Sequence, residues 1–329
     1  PQINLGMVFG EPSCLPLFFT IYPGSIKDVT TLKNVLMQGN AFGIGESLFV
    51  LDKGFYSKIN IKQMKKEKIR FLMPLPFTTE ISHSLIQKHR SQLSNPINSF
   101  ALGKSLLFYS KDKIEIEGVK LTTHLYLDEK RKGEEIQHFL KKIIELEEKT
   151  RQKAFKKNAE IKEYLENTLK GSSKFFSFST RKGKTKIFRK ETPLCEITGR
   201  MGKTIIISND FALDGKDSLR LYRKKDFIES LFDTMKNELK DKRLRIHSSE
   251  ALEGRLFLSF LALILHSGVT KIMRGKNLFK DYSLTELLYE FKKIKRVEME
   301  NGKIFLTEVS KKQRELFKKF DLSVPNMIT

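Results

Sequence analysis

The chain has 329 residues, enough to bury a substantial core in one large domain with an insertion or in two domains. Its 61 Lys and Arg against 39 Asp and Glu leave a formal net charge of +22 at pH 7, which favours nucleic acid over an acidic membrane as partner, because no lipid-anchor or polybasic-tail pattern accompanies it. Two cysteines, and six histidines without paired ligand spacing, exclude a disulfide framework and a zinc site and indicate a reducing compartment.

The chain opens with a predicted β-hairpin followed by a helix. Residues 3–9 and 15–22 have strand-like composition on either side of a GEPS turn. Pro23-Gly24 ends the second strand, and apolar residues then recur at helical spacing from Ser25 to Met37. No signal peptide is visible. Because the sequence opens on Pro1 rather than Met, we expect it to begin inside a longer protein.

A short apolar strand, SLFVL at residues 47–51, carries Asp52 at its carboxyl end. Its continuous hydrophobicity is typical of a strand buried on both faces. Ser57 is placed to cap a helix over residues 58–67, and residues 69–75 form the next strand. This order predicts a right-handed crossover in an α/β sheet. Ligand chemistry in such sheets lies beyond the carboxyl ends of the strands, although an Asp in a simple turn is the commoner occurrence.

The composition changes after residue 76. Short strand patterns at residues 105–109, 113–118 and 119–127 precede a long charged helix, predicted over about 131–169, with many opposite charges at i,i+4 spacing. This β-rich segment with a long helix is predicted to interrupt the preceding sheet.

The stretch from Ser172 to Lys190 combines phenylalanines with seven basic residues and no acid. This composition favours contact with a phosphate backbone, with Phe175, Phe176 and Phe178 available for base stacking or for simple packing. A solvated basic hairpin is the alternative interpretation. The residues predicted here to contact DNA are Arg181, Lys182, Lys184, Lys186 and Arg189.

The sequence GRMGKT at residues 199–204 is not interpreted as a phosphate-binding loop. Its glycines are separated by two residues rather than four, and it precedes a predicted strand, Thr204 to Ser208, where a phosphate-binding loop precedes a helix. We interpret it as a hairpin turn leading into a returning strand of the sheet.

The segment from Leu221 to Lys240 predicts a helix with two different faces. At about 100° per residue, Tyr222, Lys225, Glu229 and Lys236 fall within one narrow stripe. An apolar stripe of helical period lies beside them and can seat the helix on a core. An amphipathic surface helix with paired charges has the same pattern.

This segment resembles the signature Tyr-x2-Arg-x3-Glu-x6-Lys of a large group of insertion-sequence DDE transposases, in which the Glu is the third catalytic carboxylate. Tyr222, Glu229 and Lys236 match it, whereas Lys225 stands where the family has Arg. Lysine keeps the charge but lacks bidentate phosphate geometry, and Arg223 lies beside it.

Two upstream segments resemble the same group. LDKGFYS is similar to the Asp-x-Gly-Phe motif that carries the second catalytic carboxylate, here Asp52. GEPSCLPLFFTIYPGSIKD resembles a Gly-x-Pro and Pro-Gly-Asn-x-x-Asp block, with Ser25 in place of Asn. Because independent blocks occur in the family's order, together they are more specific than any one of them.

The resemblance implies an α/β fold with a ribonuclease-H-like mixed sheet flanked by helices. The sheet would be interrupted by the β-rich and long-helix insertion, and a helical extension would follow. The expected segments are a first part of the core at 1–76 without its first strand, an insertion at 77–203, a second part of the core with the signature helix at 204–268, and a helix-hairpin-helix extension at 269–329.

The C-terminal part is predicted to be mainly helical. The longest apolar run, Leu256 to Leu265, is too short for a bilayer span, and we interpret it as a buried helix. Ser283 and Glu286 form a capping box, Asn301-Gly302 predicts a hairpin turn, and Ser310 begins a last helix.

The resemblance also implies Mg²⁺ (or Mn²⁺) as cofactor, held by Asp52 and Glu229 as catalytic residues, since carboxylate oxygens suit these ions and two metals can stabilise phosphodiester cleavage. The residues near the signature that are predicted to contact DNA are Tyr222, Arg223, Lys225 and Lys236.

The family's first catalytic Asp lies on a strand that precedes the opening hairpin, and no acid here fits that role. Glu11 falls in the turn and Asp28 in the following helix. We therefore expect an N-terminally truncated chain that does not cleave DNA by itself.

The function expected from the resemblance is DNA transposition by metal-dependent cleavage and strand transfer. The expected partner is double-stranded DNA, as transposon terminal inverted repeats and target, bound by a dimer. No membrane association is expected, and the expected location is a bacterial-type cytoplasm, at the nucleoid. The alternatives are a nucleic-acid-binding protein without chemistry, such as a ribosomal or architectural protein, and another ribonuclease-H-like nuclease.

Overall fold

The computed structural model has a mixed α/β fold. It describes residues 3–11, 13–26, 28–41, 43, 47–181, 184–237, 246, 248–298 and 304–325. The chain forms two compact units. The central unit comprises Lys27–Lys225, and the terminal unit combines Pro1–Ile26 with Asp226–Thr329.

The secondary structure alternates between strands and helices along the chain. The strands are β1 (Ile3–Phe9), β2 (Pro16–Pro23), β3 (Leu48–Val50), β4 (Arg70–Pro74), β5 (Ser99–Leu102), β6 (Ser105–Ile116), β7 (Val119–Asp128), β8 (Phe176–Arg181), β9 (Lys184–Arg189), β10 (Lys203–Ser208), β11 (Arg296–Glu298) and β12 (Ile304–Leu306). The α-helices are α1 (Asp28–Ala41), α2 (Lys58–Lys66), α3 (Glu80–Lys88), α4 (Glu129–Arg151), α5 (Asn158–Thr168), α6 (Glu191–Thr198), α7 (Gly215–Arg223), α8 (Lys225–Asn237), α9 (Ser249–Gly275), α10 (Leu284–Lys292) and α11 (Lys311–Lys319).

The central unit is built on a six-stranded mixed sheet in the order β3-β4-β10-β7-β6-β5. Strands β3 and β4 are parallel, as the crossover predicts, and the other neighbours are antiparallel. Strands β5, β6 and β7 share this sheet with β3, β4 and β10, and the predicted strands at 105–109 and 113–118 are one continuous strand, β6. The architecture is consistent with a ribonuclease-H-like α/β fold.

The core of the central unit lies between the sheet and helix α2. Ile61 and Met64 of α2 are completely buried, and so are Phe71 and Met73 of β4. Strand β3 differs from the prediction of burial on both faces, because Val50 is 37% exposed. The physical reason is its position at the end of the strand order, where only β4 pairs with it among the described strands.

The predicted long helix over 131–169 is interrupted, and the chain forms α4 and α5 instead. The connection between them buries Phe155, whose ring lies 5.6 Å from that of Tyr164. Phe155 packs with Ile161 and Leu165 of α5 in one apolar cluster. A continuous helix would lose this folded-back contact, so tertiary packing overrides the local helical pattern.

The GRMGKT segment connects helix α6 to strand β10. The strand confirms that this segment is not a phosphate-binding loop, but the predicted hairpin turn was wrong because residues 191–198 are helical. Gly202 has a φ of +70°, and a Cβ added to it would lie 2.4 Å from the Cβ of Lys132. The turn therefore requires glycine at this position for two independent reasons.

The terminal unit packs the predicted β1–β2 hairpin against helices α8 and α9. The strands are antiparallel, and the ring of Phe19 on β2 lies 5.1 Å from that of Phe260 on α9. Leu231 and Met235 of α8 are buried in the same apolar cluster. Helix α8 is thus seated by its apolar stripe, as the sequence predicts.

The C-terminal elements follow the predicted order. Both hydrogen bonds of the Ser283–Glu286 capping box are present at the start of α10, β11 pairs with β12, and Ser310 caps α11. The predicted turn at Asn301-Gly302 lies outside the described residues.

Helix α9 is longer and less buried than the sequence predicts. Its 27 residues make it long and apolar enough, by length and composition, to cross a membrane. Leu256 and Leu263 are buried, whereas Leu258 is 62% and Leu265 is 71% exposed. The prediction of a buried helix over 256–265 is therefore correct for one face only.

Candidate active site and nucleic-acid interface

Asp52 lies directly beyond the carboxyl end of β3, as the sequence predicts. It is exposed, and it precedes a single 3₁₀ turn, Lys53–Phe55, to which its side chain gives no capping hydrogen bond. The following helix is fixed by Ser57, whose Oγ accepts a hydrogen bond of 3.0 Å from the Asn60 backbone N–H. Strand β3 and this capped helix therefore hold Asp52 on an ordered backbone with its carboxylate facing solvent.

The signature segment is divided between two helices, which contradicts the single helix predicted over 221–240. Tyr222 lies in the last turn of α7, and Lys225 begins α8. At Lys224 the backbone N–H bonds to the Leu221 carbonyl three residues earlier at 3.2 Å, so the α-helical pattern is interrupted. Residues 238–240 lie outside the described part of the chain.

The two helices are anchored in different cores, which explains the interruption. Leu219 of α7 is 3% exposed and packs with Ile206 and Tyr126 of the six-stranded sheet. Leu231 of α8 is 1% exposed and packs with the β1–β2 hairpin. Each helix is held by its own core, so the packing of Leu219 and Leu231 determines where the helical segment is interrupted.

Helix α8 keeps the charged stripe of the signature. Lys225, Glu229 and Lys236 are separated by four and seven residues and lie along one side of the helix. Glu229 and Lys236 are exposed, and Lys225 is half-buried. Glu229 belongs to the terminal unit and Asp52 to the central unit, and their meeting in one site stays a prediction.

Tyr222, Arg223 and Lys225, at the junction of α7 and α8, make defined contacts in the central unit. The ammonium group of Lys225 lies 5.4 Å from the centre of the Tyr222 ring, which is a cation–π distance. Arg223 Nη2 lies 3.6 Å from Asp128 Oδ2. An Arg side chain has five N–H donors, so this ion pair still leaves donors for a phosphate.

A buried histidine fixes α7 to the sheet. His124 of β7 is completely buried, with Nδ1 2.9 Å from the Tyr109 hydroxyl and Nε2 3.3 Å from Ser218 Oγ on α7. Ser218 donates its own proton to the Asp214 carbonyl, so His124 donates from Nε2 and accepts at Nδ1. Burial lowers the pKa of His124 to about 4. The histidine is therefore neutral, and its role is structural.

The basic stretch forms a hairpin of β8 and β9, as its alternative interpretation describes, and contact with DNA stays a prediction. Cross-strand pairs Arg181–Lys184 and Ser179–Lys186 place three cations on its exposed face. Arg189 lies on the opposite face, where its Nε is 3.0 Å from Glu147 Oε2. Lys182 lies outside the described residues. The hairpin thus offers Arg181, Lys184 and Lys186 to a phosphate backbone.

The phenylalanines of this segment have divided roles. Phe175 and Phe176 are 5% and 1% exposed, so they pack in the core of the helical layer and are not available for stacking. Phe178 packs against the same cluster. Phe188 is 61% exposed and shares the outer face with the three cations. The alternation of side chains along β9 was the signal that could have identified Phe188 from the sequence.

A second group of cations lies at the end of the sheet where Asp52 is found. Val50 is level with Leu72, and Leu72 with Ser208, so Lys203 lies further along β10 toward the same end as Asp52. The strand geometry places the two on the order of 15 Å apart. Sequence reasoning missed Lys203 because its strand is distant in the chain from residue 52.

Basic and acidic side chains both surround Lys203, because Arg131 lies 3.5 Å from Glu135 and Lys132 lies 3.0 Å from Glu129. Arg131 donates to the Lys203 carbonyl at 2.9 Å. Burial lowers the pKa of Lys203, and the neighbouring Lys132 lowers it further. We call Arg131, Lys132 and Lys203 the sheet-end cluster. Its cations lie toward Asp52, and Glu129 and Glu135 offset two of the three charges.

The donor types of the candidate site fit a divalent cation, since Asp52 and Glu229 supply the hard carboxylate oxygens that Mg²⁺ and Mn²⁺ prefer. Within the part of the chain that the structure describes, no group of three or more His, Cys, Asp or Glu side chains is arranged to hold a metal ion. The residues therefore agree with the metal in chemical type, but a complete ligand set is not assembled among them.

Comparison with known proteins gives one family. A family model described as a transposase DDE domain matches residues 1–265. The match includes Asp52, both helices of the signature segment and the basic hairpin. No curated protein matches the chain significantly.

Proposed function

Because the chain belongs to the transposase DDE domain family, we propose that it is the catalytic part of an insertion-sequence transposase that acts on transposon-end DNA. Members of this family are polynucleotidyl transferases that bind DNA and generally depend on a divalent metal. The observation that carries the proposal is the position of Asp52 at the carboxyl end of β3, within the family's Asp-x-Gly-Phe pattern. Its side chain is exposed and makes no capping hydrogen bond to the turn that follows.

We assign Asp52 and Glu229 to metal binding and catalysis. When bound there, Mg²⁺ or Mn²⁺ would stabilise the negative charge that develops on the oxygens of the scissile phosphate. Lys225 and Lys236 flank Glu229 on the same side of α8 and would hold neighbouring phosphates. Tyr222 would contact a phosphate or a base at the transposon end, with Arg223 oriented by Asp128.

DNA would also bind along the exposed faces of the central unit. The hairpin cations Arg181, Lys184 and Lys186 are all exposed, and the sheet-end cluster lies toward Asp52. Lys182, which lies outside the described residues, and Arg189 are further predicted DNA contacts, and Arg189 must share its guanidinium with Glu147. We expect terminal inverted repeats and target DNA as ligands, a dimer on DNA, and a cytoplasmic, nucleoid-associated location.

The family motifs match two carboxylates in this sequence, and among the described residues no group of three or more potential ligands is arranged to hold a metal ion. We therefore expect the 329-residue chain to bind Mn²⁺ weakly and to bind DNA without cleaving it. Cleavage that Asp52→Asn abolishes would contradict this expectation and would show that a third ligand lies within the chain.

The shared metal site can be tested by electron paramagnetic resonance of Mn²⁺ titrated with the purified chain. We expect Asp52→Asn and Glu229→Gln each to remove the same bound Mn²⁺ signal. Glu80→Gln in α3 and Glu253→Gln in α9 remove exposed acids elsewhere and should leave the signal unchanged. Binding that survives in either active-site variant would refute a site shared by the two carboxylates.

A nucleic-acid-binding protein without chemistry is the second candidate. The exposed basic hairpin and the incomplete ligand set among the described residues favour it. It predicts DNA binding that does not depend on Mg²⁺ and does not change in Asp52→Asn. A ribonuclease-H-like nuclease differs from both, because it would hydrolyse a linear donor without joining its ends to a target.

A further inference from the structure

One side of helix α9 is apolar and exposed, although its other side is buried. Leu256, Leu263 and Met273 face the core of the terminal unit and are at most 3% exposed. Five large apolar residues of α9 are exposed. Their exposed fractions are 52% for Phe257, 62% for Leu258, 40% for Leu261, 71% for Leu265 and 37% for Ile272.

Leu258, Leu261, Leu265 and Ile272 belong to a regular seam along α9, and Phe257 lies beside it. Its positions alternate between steps of three and four residues, which is the spacing by which two helices pack side by side in a coiled coil. Three glycines occupy seam positions, and a Cβ added to any of them would meet no atom within 4 Å. The full seam is Ala251, Gly254, Leu258, Leu261, Leu265, Gly268, Ile272 and Gly275.

The order of large and small residues in the seam is complementary to itself in one orientation. If a second α9 lies antiparallel, with residue 263 at the centre, Leu258 faces Gly268 and Ile272 faces Gly254. Leu261 then faces Leu265 at the middle of the pair. A parallel pair would instead place Gly254 against Gly254 and Leu258 against Leu258, which alternates voids with crowding.

The charges at the helix ends favour the same orientation. The first turn of α9 carries Glu250 and the last turn carries Arg274. In an antiparallel pair Glu250 comes level with Lys276 of the other copy, and the two helix dipoles align favourably. Arg255 comes level with Lys271, and Arg274 stays over the Phe227 ring of its own copy. A parallel pair would bring like charges together at both ends.

From the seam, its complementarity and its charges, we propose that α9 pairs in antiparallel orientation with α9 of a second copy of this chain. This inference deepens the proposed function, which expects two copies on DNA, by assigning a surface that associates without DNA. The seam extends over about 36 Å at 1.5 Å per residue. None of the seam residues is assigned to catalysis or metal binding.

The same apolarity is compatible with a bilayer by length and composition, but the burial pattern favours a protein partner. A helix that crosses a membrane has no water-soluble core on one side, whereas α9 buries a third of its apolar window inside the unit. Phe260 and Leu263 pack with the β1–β2 hairpin and with α8. The face left for a partner is a narrow seam, which matches the width of one helix.

The test is sedimentation velocity of the full 329-residue chain without DNA over a concentration series. We expect a dimer of twice 38.2 kDa, and we expect Leu258→Glu to weaken self-association by roughly tenfold or more, because a charge would replace a central seam residue. Leu322→Glu is the matched control, since Leu322 is 55% exposed and lies outside the seam.

A pair of compensating changes tests the orientation. Gly268→Leu alone should weaken the dimer, because Leu258 of the other copy would meet a filled position. Adding Leu258→Gly exchanges large and small residues, and it should restore the dimer only in the antiparallel register. The exchange leaves the total helix propensity of α9 nearly unchanged, so folding does not confound the comparison.

The proposal is overturned if the chain sediments as a monomer at every concentration, or if Leu258→Glu associates as strongly as the unmodified chain. Flotation of a monomeric chain with phosphatidylglycerol vesicles would assign the seam to a lipid surface instead. Loss of the dimer would not affect Mn²⁺ binding by Asp52 and Glu229, so failure here is distinguishable from failure of the proposed function.

Discussion

Neutralising the exposed face of the basic hairpin should reduce the salt dependence of DNA binding. The variant Arg181→Gln, Lys184→Gln and Lys186→Gln removes three cations that lie on one face of β8 and β9. Because these side chains project away from the apolar cluster that holds the hairpin, the substitutions should leave the fold intact. The expected effect therefore concerns binding rather than stability.

The size of the effect follows from counterion release. Each phosphate contact contributes about 0.9 to the slope of log K against log salt, so three lost contacts reduce the slope by about 2.7. Between 50 and 200 mM salt, the unmodified chain should lose roughly 40-fold more affinity than the triple variant loses. Arg189→Gln should change the slope less than any one of these substitutions, because Arg189 is already paired with Glu147.

Fluorescence anisotropy with a labelled duplex, titrated at four or five salt concentrations, measures both slopes. The matched control is Lys311→Gln, Lys318→Gln and Lys319→Gln, which removes the same charge from exposed positions of α11. If the control reduces the slope as much as the hairpin variant does, binding follows net charge alone and the hairpin is not an interface. An unchanged slope in the hairpin variant would refute the reasoning directly.

Three further predictions concern single residues. In the same anisotropy assay, Phe188→Ala should weaken the binding of single-stranded DNA more than that of double-stranded DNA. The loss on single-stranded DNA should be about 1–3 kcal/mol if a base stacks on the ring. Equal losses on both kinds of DNA would argue against stacking. The contribution of His124 should make the free energy of unfolding about 2 kcal/mol lower at pH 5 than at pH 7. Folding lowers the pKa of His124 from 6.5 to about 4, so between pH 7 and pH 5 only the unfolded state gains a proton. Urea titrations of His124→Gln should show a correspondingly smaller difference between the two pH values. Gly202→Ala should lower the free energy of unfolding by at least about 2 kcal/mol in a denaturant titration, because a positive φ and a contact with Lys132 oppose a side chain there. Gly118 has a similar φ but open space around it. An equal loss in Gly118→Ala would show that the contact with Lys132 contributes nothing.

Elements whose signals are local in sequence were predicted from the sequence with nearly the observed bounds. The β1–β2 hairpin, the strand before Asp52, the Ser57 cap and the Ser283 capping box depend on residues within a few positions of one another. Such signals act through steric and hydrogen-bonding preferences of the chain itself. The position of Asp52 followed from them, because a strand and a capped helix on either side fix the backbone between them.

The sequence also determined the family, through motifs whose order and spacing are properties of the chain. It did not determine where the signature helix is interrupted, because no helix-breaking residue stands at position 224. The interruption arises because Leu219 and Leu231 pack in different cores. Phe155 likewise divides the predicted long helix by a contact made only after the chain folds back.

Which face of an element becomes buried was decided by tertiary structure alone. Helix α9 is apolar on more than one side, so its sequence predicts burial, and only the packing of the β1–β2 hairpin shows which side stays exposed. The sheet-end cluster joins residues that are more than 70 positions apart in the chain, because β7 and β10 pair across it. Local preferences of the chain determine which helices and strands form in this protein. Packing among their apolar surfaces determines where each one lies, since burial is a property of the folded whole.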